Sequence, residues 1–335
     1  MRRWIQIVGG PISSSAGRNL SSHEAETVFR QLLEGEGSDA QVASIFLAIR
    51  GRGVSTDELV GFARAARRRI SFPQMLPRTV VVATTRLGKL KYPPLGLAAA
   101  AAAATAGARI ALQASPHVEG GGITLGDLWQ SIRGSDCLFG DELQSAIQNS
   151  SLHCWCPSKS DPGWERLMRI EEEVGLRSIP DQVSKLLVPE GVPLLVPSLS
   201  GPVLGMASDA IATLGHRQAA ILQGVESSID PSCSQRTRGM WIADGFKSPL
   251  RMEPGDYGLQ WHQEPMPRHN CPIEAAKEAT ARALMGIAPE ANTALLGAAL
   301  MLTLAGVTRD FASGASLARD AIESGKAYRQ VFDVP

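Results

Sequence analysis

Near the start of the chain, three serines are each followed three positions later by Glu or Gln: Ser21 with Glu24, Ser38 with Gln41, and Ser55 with Glu58. In such a box the hydroxyl accepts from an amide of the first helical turn while the later side chain reaches back to the cap. Three helices are therefore expected to begin at these points. The apolar spacing agrees, with stripes of Ala25, Val28, Phe29, Leu32 and Leu33, of Val42, Ile45, Phe46 and Ile49, and of Leu59, Phe62, Ala63, Ala66 and Ile70. Glycines 35, 37, 51 and 53 stand where the helices must stop.

After Phe72-Pro73 the pattern changes. Thr79 to Thr84 is apolar and β-branched, a loop and an alanine-rich stretch follow, and Arg109 to Gln113 reads as the next strand. Strand, loop, helix, strand is the order of a parallel sheet with helical crossovers. Further buried strands are expected at 193–196 and 219–222, and helices at 205–213, 273–285, 292–305 and 314–324. Residues 233–263, rich in Gly, Pro, Arg and Trp, read as an irregular or β-hairpin excursion.

A chain of 335 residues, 44% of them hydrophobic, can bury one large core or a core with a satellite domain, which excludes disorder as its dominant state. Its 33 Lys and Arg balance 33 Asp and Glu, so any polyanion site must be a local patch. Five cysteines without regular spacing suit a reducing, cytoplasmic compartment better than a disulfide scaffold. The first ten residues carry charge, but their apolar run is too short for a signal peptide. Leu95 to Leu112, broken by Gly96, Gly107 and Arg109, falls short of the ~20 residues of a span, so a buried helix and no membrane contact are expected.

The run Ser38 to Arg50, with Leu33-Glu34-Gly35-Glu36 before it and Gly53 to Leu59 after it, resembles the helical N-terminal domain of the anthranilate phosphoribosyltransferase and pyrimidine nucleoside phosphorylase superfamily. Asn292 to Gly306 and Ala315 to Ala327 are similar to the C-terminal end of its transferase branch. The resemblance implies an α/β chain: a small all-helical domain over 1–76, with part of 157–188 packing on it, and a larger α/β domain over 77–335. The latter would hold a mainly parallel central sheet with helices on both faces. It also implies a homodimer through the helical domain, and faces such as that of Phe29 and Leu33 are expected to need cover.

Phosphoribosyl transfer requires backbone donors and cations, often with magnesium, around the departing pyrophosphate. The family places a loop close to Gly-Thr-Gly-Gly-Asp after the first strand; here Thr84-Thr85-Arg86-Leu87-Gly88-Lys89-Leu90-Lys91 stands there. One glycine remains, and Arg86, Lys89 and Lys91 become candidate phosphate ligands with Gly88. The family's second grip, with Lys, Asn and Arg, corresponds to Leu112 to Thr124, where His117 and the amides of Gly120 and Gly121 are what is left. On the acceptor side the resemblance puts Glu171 where an arginine meets anthranilate, although a one-turn slip brings Arg169 or Arg166 there. Arg177 matches a family arginine. A family His-Gly followed by acids corresponds to Gln223 to Asp230, which makes Glu226 and Asp230 the candidate magnesium ligands.

The loops therefore point away from anthranilate transfer and toward two other readings. One is a protein that binds nucleotide or single-stranded nucleic acid, similar to a paralogous branch using a basic dimer groove, here Arg50, Arg52, Arg64, Arg67 and Arg68. The alternative is a divergent pentosyltransferase or phosphorylase acting on another base, with a small phosphorylated ligand in the cleft. Against the groove, Arg64 and Arg68 lie opposite the apolar stripe, as a solvated face requires. His153-Cys154-Trp155-Cys156 lacks a zinc-site spacing and reads as burial of small apolar side chains. His262 and His269 have no recognisable partner, and Gly201 to Gly205 lacks the spacing of a nucleophile elbow.

Overall fold

The computed structural model describes residues 1–10, 17–115, 121–199, 203–265 and 271–333, and the chain divides into two compact units. The first comprises Met1–Phe72, Pro157–Glu190 and Asp209–Gly215. It opens with α1 (Arg2–Gly9), α2 (Ser22–Leu33), α3 (Asp39–Arg52) and α4 (Thr56–Arg67). All three expected capping boxes are formed, at Ser21, Ser38 and Ser55. Phe29 packs on Phe62 at 5.3 Å and on Trp164 of the helix Pro162–Val174 at 5.7 Å. Phe29 and Leu33 are thus buried inside their own chain. They do not need the cover of a second copy, contrary to the expectation. Among the described residues, the large apolar side chains this unit exposes are Leu47 and Leu176.

The second unit comprises Pro73–Cys156, Gly191–Ser208 and His216–Pro335. Its sheet has β1 (Thr79–Ala83), β2 (Arg109–Gln113), β3 (Leu152–Trp155), β4 (Leu194–Pro197), β5 (Gln218–Gln223), β6 (Thr237–Ala243) and β7 (Phe246–Met252). The spatial order is β3-β2-β1-β4-β5-β6-β7, parallel from β3 to β5 and antiparallel for the last two pairs. β1 is buried at every position, as a central parallel strand covered on both faces must be. The excursion expected between 233 and 263 is the β6–β7 hairpin.

The alanine-rich stretch forms α5 (Gly96–Thr105), buried from Gly96 to Ala104. Small side chains let a neighbouring helix, Glu290–Leu304, come close: a Cβ on Gly297 would stand 2.9 Å from that of Ala99. No described helix is long and apolar enough to cross a membrane. The cysteines differ from expectation. Leu138 pairs with Trp155, which carries Cys137 to a Cα distance of 4.7 Å from Cys154, and the two sulfurs are joined. Cys156, Cys233 and Cys271 are buried and form no disulfide.

Candidate anion site at the strand ends

Parallel strands leave their loops at the carboxyl edge of the sheet, where open α/β folds usually receive ligands. The loop after β1 is fixed there by an antiparallel bridge. Lys89 N donates to Ile123 O and Ile123 N to Lys89 O, both at 2.9 Å, and Gly122 N donates to Leu87 O at 2.7 Å. Gly88, at φ 60°, lies so close to Gly122 that a Cβ would stand 2.4 Å from its carbonyl oxygen. This corrects the reading of Gly88 as an anion ligand: it serves close backbone approach, as does Gly122. Gly121 is half-buried, and His117 and Gly120 lie outside the described residues.

The three cations separate. Arg86 and Lys89 are buried, 2% and 4% exposed, and only Lys91 is exposed. Lys89 Nζ donates to Asp230 Oδ2 at 2.7 Å and lies 5.9 Å over the Tyr92 ring. The same Asp230 oxygen accepts from Leu95 N at 3.1 Å. Lys89 and Asp230, expected to meet phosphate and metal respectively, instead neutralise each other.

Glu226 is also engaged, and by backbone. Leu90 N donates to Oε1 at 2.9 Å, Lys91 N to both oxygens at 3.2 and 3.3 Å, and Tyr92 N to Oε2 at 3.2 Å. Three successive amides thus converge on one carboxylate, which is how a peptide nest holds an anion. Glu226 and Ser227 reach this position at φ 58° and 56°, a region side-chain-bearing residues seldom occupy. Magnesium does not fit the pair as it stands. Asp230 is tied to Lys89, Glu226 to amides, and among the described residues no third His, Cys, Asp or Glu joins a group able to hold a metal ion.

Two hollows adjoin these residues. One, bounded by Thr84, Thr85, Gly88, Lys89, Ser228 and Asp230, is about 20 Å³, room for about one water and not for a pyrophosphate. Side chains fill the neighbouring space: a Cβ on Gly96 would meet Ile229 at 2.7 Å and Leu125 at 2.8 Å. The other is open and about 740 Å³, lined by Tyr92, Gln223, Glu226, Gln235, Arg236, Arg238, Glu253 and Glu264 among others. Arg236 is paired with Glu253 and Glu264 with the Ser232 and Ser234 hydroxyls, while Arg238 is exposed.

The arginines of the helical unit divide between internal partners and solvent. Arg52 pairs with Glu58, which is fully buried and also accepts from Leu20 N and Ser55 N, each at 2.9 Å. Arg67 donates to the carbonyls of Leu186 at 2.8 Å and Leu214 at 3.0 Å. Burial lowers its guanidinium to about 10, with Glu190 opposing the fall and Arg64 adding to it. Both were read as polyanion ligands, and both hold the unit together. Arg68 is exposed and paired with Glu26, Arg64 is exposed beside Ser22 Oγ, and Arg50 Nε donates to the carbonyl of Arg177 at 2.7 Å. Arg177 is thus a backbone anchor for Arg50. Glu171 is buried and accepts from Ser178 N, Ser178 Oγ and Asp181 N at 2.7, 2.8 and 3.3 Å, so it caps a local turn. His262 is exposed against Trp261, while His269, Gly201 and Pro202 lie outside the described residues.

Residues 15–70 match the family model described as "Glycosyl transferase family, helical bundle domain". The chain is 27% identical over 324 residues to the anthranilate phosphoribosyltransferase of Pyrobaculum aerophilum, covering 95% of this chain and 94% of that one. It is 24% identical over 345 residues to that of Methanothermobacter marburgensis, covering 94% of each. Among solved structures, the Thermus thermophilus enzyme superposes with a TM-score of 0.77 at 21% identity, covering 99% of this chain and 98% of that one. The Saccharomyces cerevisiae enzyme in complex with PRPP and Mg gives 0.78 at 16% identity, covering 99% and 96%. The chain therefore carries the helical bundle domain of the glycosyl transferase family and is, over nearly its whole sequence, a relative of the anthranilate phosphoribosyltransferases.

Proposed function

We propose that this protein uses the anthranilate phosphoribosyltransferase fold to bind nucleotide or single-stranded nucleic acid and does not make phosphoribosyl anthranilate. The observation that carries this reading is the mutual neutralisation of Lys89 and Asp230 at the carboxyl edge of the sheet. Transfer needs preorganised charge aimed at a leaving pyrophosphate. In this site the buried Lys89 already has its anion, and the hollow beside it is about 20 Å³. Fold alone does not carry activity, since the site decides it. In this reading magnesium arrives with a ligand's phosphate, having no standing carboxylate cage. The protein acts in the cytoplasm as a homodimer through its helical unit, where Leu47 and Leu176 are exposed.

The test is anthranilate consumption with phosphoribosyl pyrophosphate and magnesium, followed by the loss of anthranilate fluorescence. No turnover is expected, and a rate on the order of 1 per second would overturn the reading. The polyanion arm is a titration of labelled single-stranded DNA, with affinity expected to fall steeply with salt as counterions are released. The exposed Arg50, Arg64 and Arg68 are the helical-unit residues through which reversal to Glu should weaken it. Absence of binding at low salt would remove nucleic acid and leave the nucleotide.

A further inference from the structure

We propose that the amides of Leu90, Lys91 and Tyr92 form a phosphate site that the protein keeps closed with its own Glu226, and that a phosphorylated ligand entering from the adjoining cavity takes the place of that carboxylate. This rests on the reading that the strand-end region binds and does not transfer.

Four observations converge on it. First, three consecutive N–H groups point at one spot, and the group they hold is an anion. A phosphate oxygen pair presents the same acceptor geometry as the carboxylate, with one further oxygen. Second, no side-chain cation partners Glu226 within ion-pairing distance among the described residues, so its place in the nest depends on the amides alone. Third, Glu226 and Ser227 both sit at positive φ, a backbone state that persists only while surrounding contacts enforce it. The rest of the loop is knitted independently, by Val225 N to Asp230 O at 2.9 Å and Ser228 Oγ to Val225 O at 2.8 Å. Release of the carboxylate would therefore leave the loop standing, since Ser227 N also donates to Gly224 O at 3.0 Å and Ser228 N to Val225 O at 3.3 Å. Fourth, Glu226 and Tyr92 line the open cavity of about 740 Å³, which gives a ligand both an approach and room for the rest of its body. The exposed Arg238 on its wall supplies positive charge along that approach.

A permanent clamp between two loops would use the same hydrogen bonds, and the two accounts separate when the carboxylate is removed. If the nest is an anion site, Glu226→Ala should bind inorganic phosphate on the order of tenfold more tightly than the wild type, because a like-charged competitor has gone. Glu226→Gln, which keeps shape and volume, should fall between them. Calorimetric titration with inorganic phosphate measures the affinity, and the amide resonances of Leu90, Lys91 and Tyr92 in isotope-labelled protein report the place. Support is tighter binding in both variants with those three resonances shifting together. Unchanged phosphate affinity in folded Glu226→Gln, or phosphate that shifts other resonances and leaves these three in place, overturns the proposal. Phosphoribosyl transfer by the wild type would instead sink the binding reading, an outcome the phosphate titration does not touch.

Discussion

Glu58 in the helical unit and Glu226 at the sheet edge are two carboxylates that close loops by accepting from backbone amides, yet they are built differently. Glu58 is fully buried, takes amides from Leu20 and Ser55, and has the Arg52 guanidinium against it. Glu226 is half-buried, takes three amides, sits at positive φ and borders an open cavity. A paired, dry carboxylate is a fixture, because removing either partner strands a charge out of water. One held by amides alone at the edge of solvent can exchange them for water at little cost. The difference separates a structural anion from a replaceable one within a single chain.

Substitution should sharpen that contrast. The largest effect is expected for Glu58→Ala, which leaves Arg52 and two amides uncompensated. A loss of about 3–5 kcal/mol in denaturant unfolding is expected, and a loss below about 1 kcal/mol would show that Arg52 finds water or another partner. Lys89→Met should cost a similar amount by stranding Asp230, and adding Asp230→Asn should recover part of it. If the double substitution is no better than the single, the pair is not the coupled unit its 2.7 Å contact implies. Glu226→Ala should change stability by less than about 1.5 kcal/mol, the three amides at the edge of the open cavity being able to turn to water. A loss as large as that of Glu58→Ala would erase the contrast.

The smallest effect concerns pH. Glu24 is held down to about 2 from 4.5 by its hydrogen bond with Arg18, helped by the amide of Ser21. A depressed carboxylate contributes stability that is present above 4.5 and is lost as pH falls through about 2. Glu24→Gln should therefore lose this small, solvent-screened contribution at neutral pH and flatten the acid limb below 4.5, the two proteins converging as pH falls toward 2. Acid unfolding identical in the two proteins would remove this contribution.

What the sequence disclosed followed the range of the interactions involved. The boxes at Ser21, Ser38 and Ser55 bring residues three apart together, and β1 and β2 are short buried runs with their pattern on their face. The helix Gly140–Asn149 was missed because Phe139 before it supplies no side-chain cap. The box formed by Thr124 and Asp127 lies behind a glycine run that drew attention to anions instead. At the candidate site the sequence does not disclose which partners the charged side chains take. Arg67 is directed to carbonyls 119 and 147 residues away, and Glu226 meets an amide 136 residues away. The helical face that put Arg64 and Arg68 outward holds, whereas for Arg67 burial against distant carbonyls outweighs its charge.

The contact between Gly88 and Gly122 bears on the history open to such a chain. With a Cβ at 88 standing 2.4 Å from one backbone oxygen, and a Cβ at 122 standing 2.2 Å from the Lys89 carbonyl, neither position accepts any larger residue while the bridge exists. No side chain could be placed at 88 without unzipping Lys89 from Ile123. Drift at this loop is thus ratcheted: each glycine protects the other from replacement, and a lineage that has adopted the pair must move both strands of the bridge together to leave it.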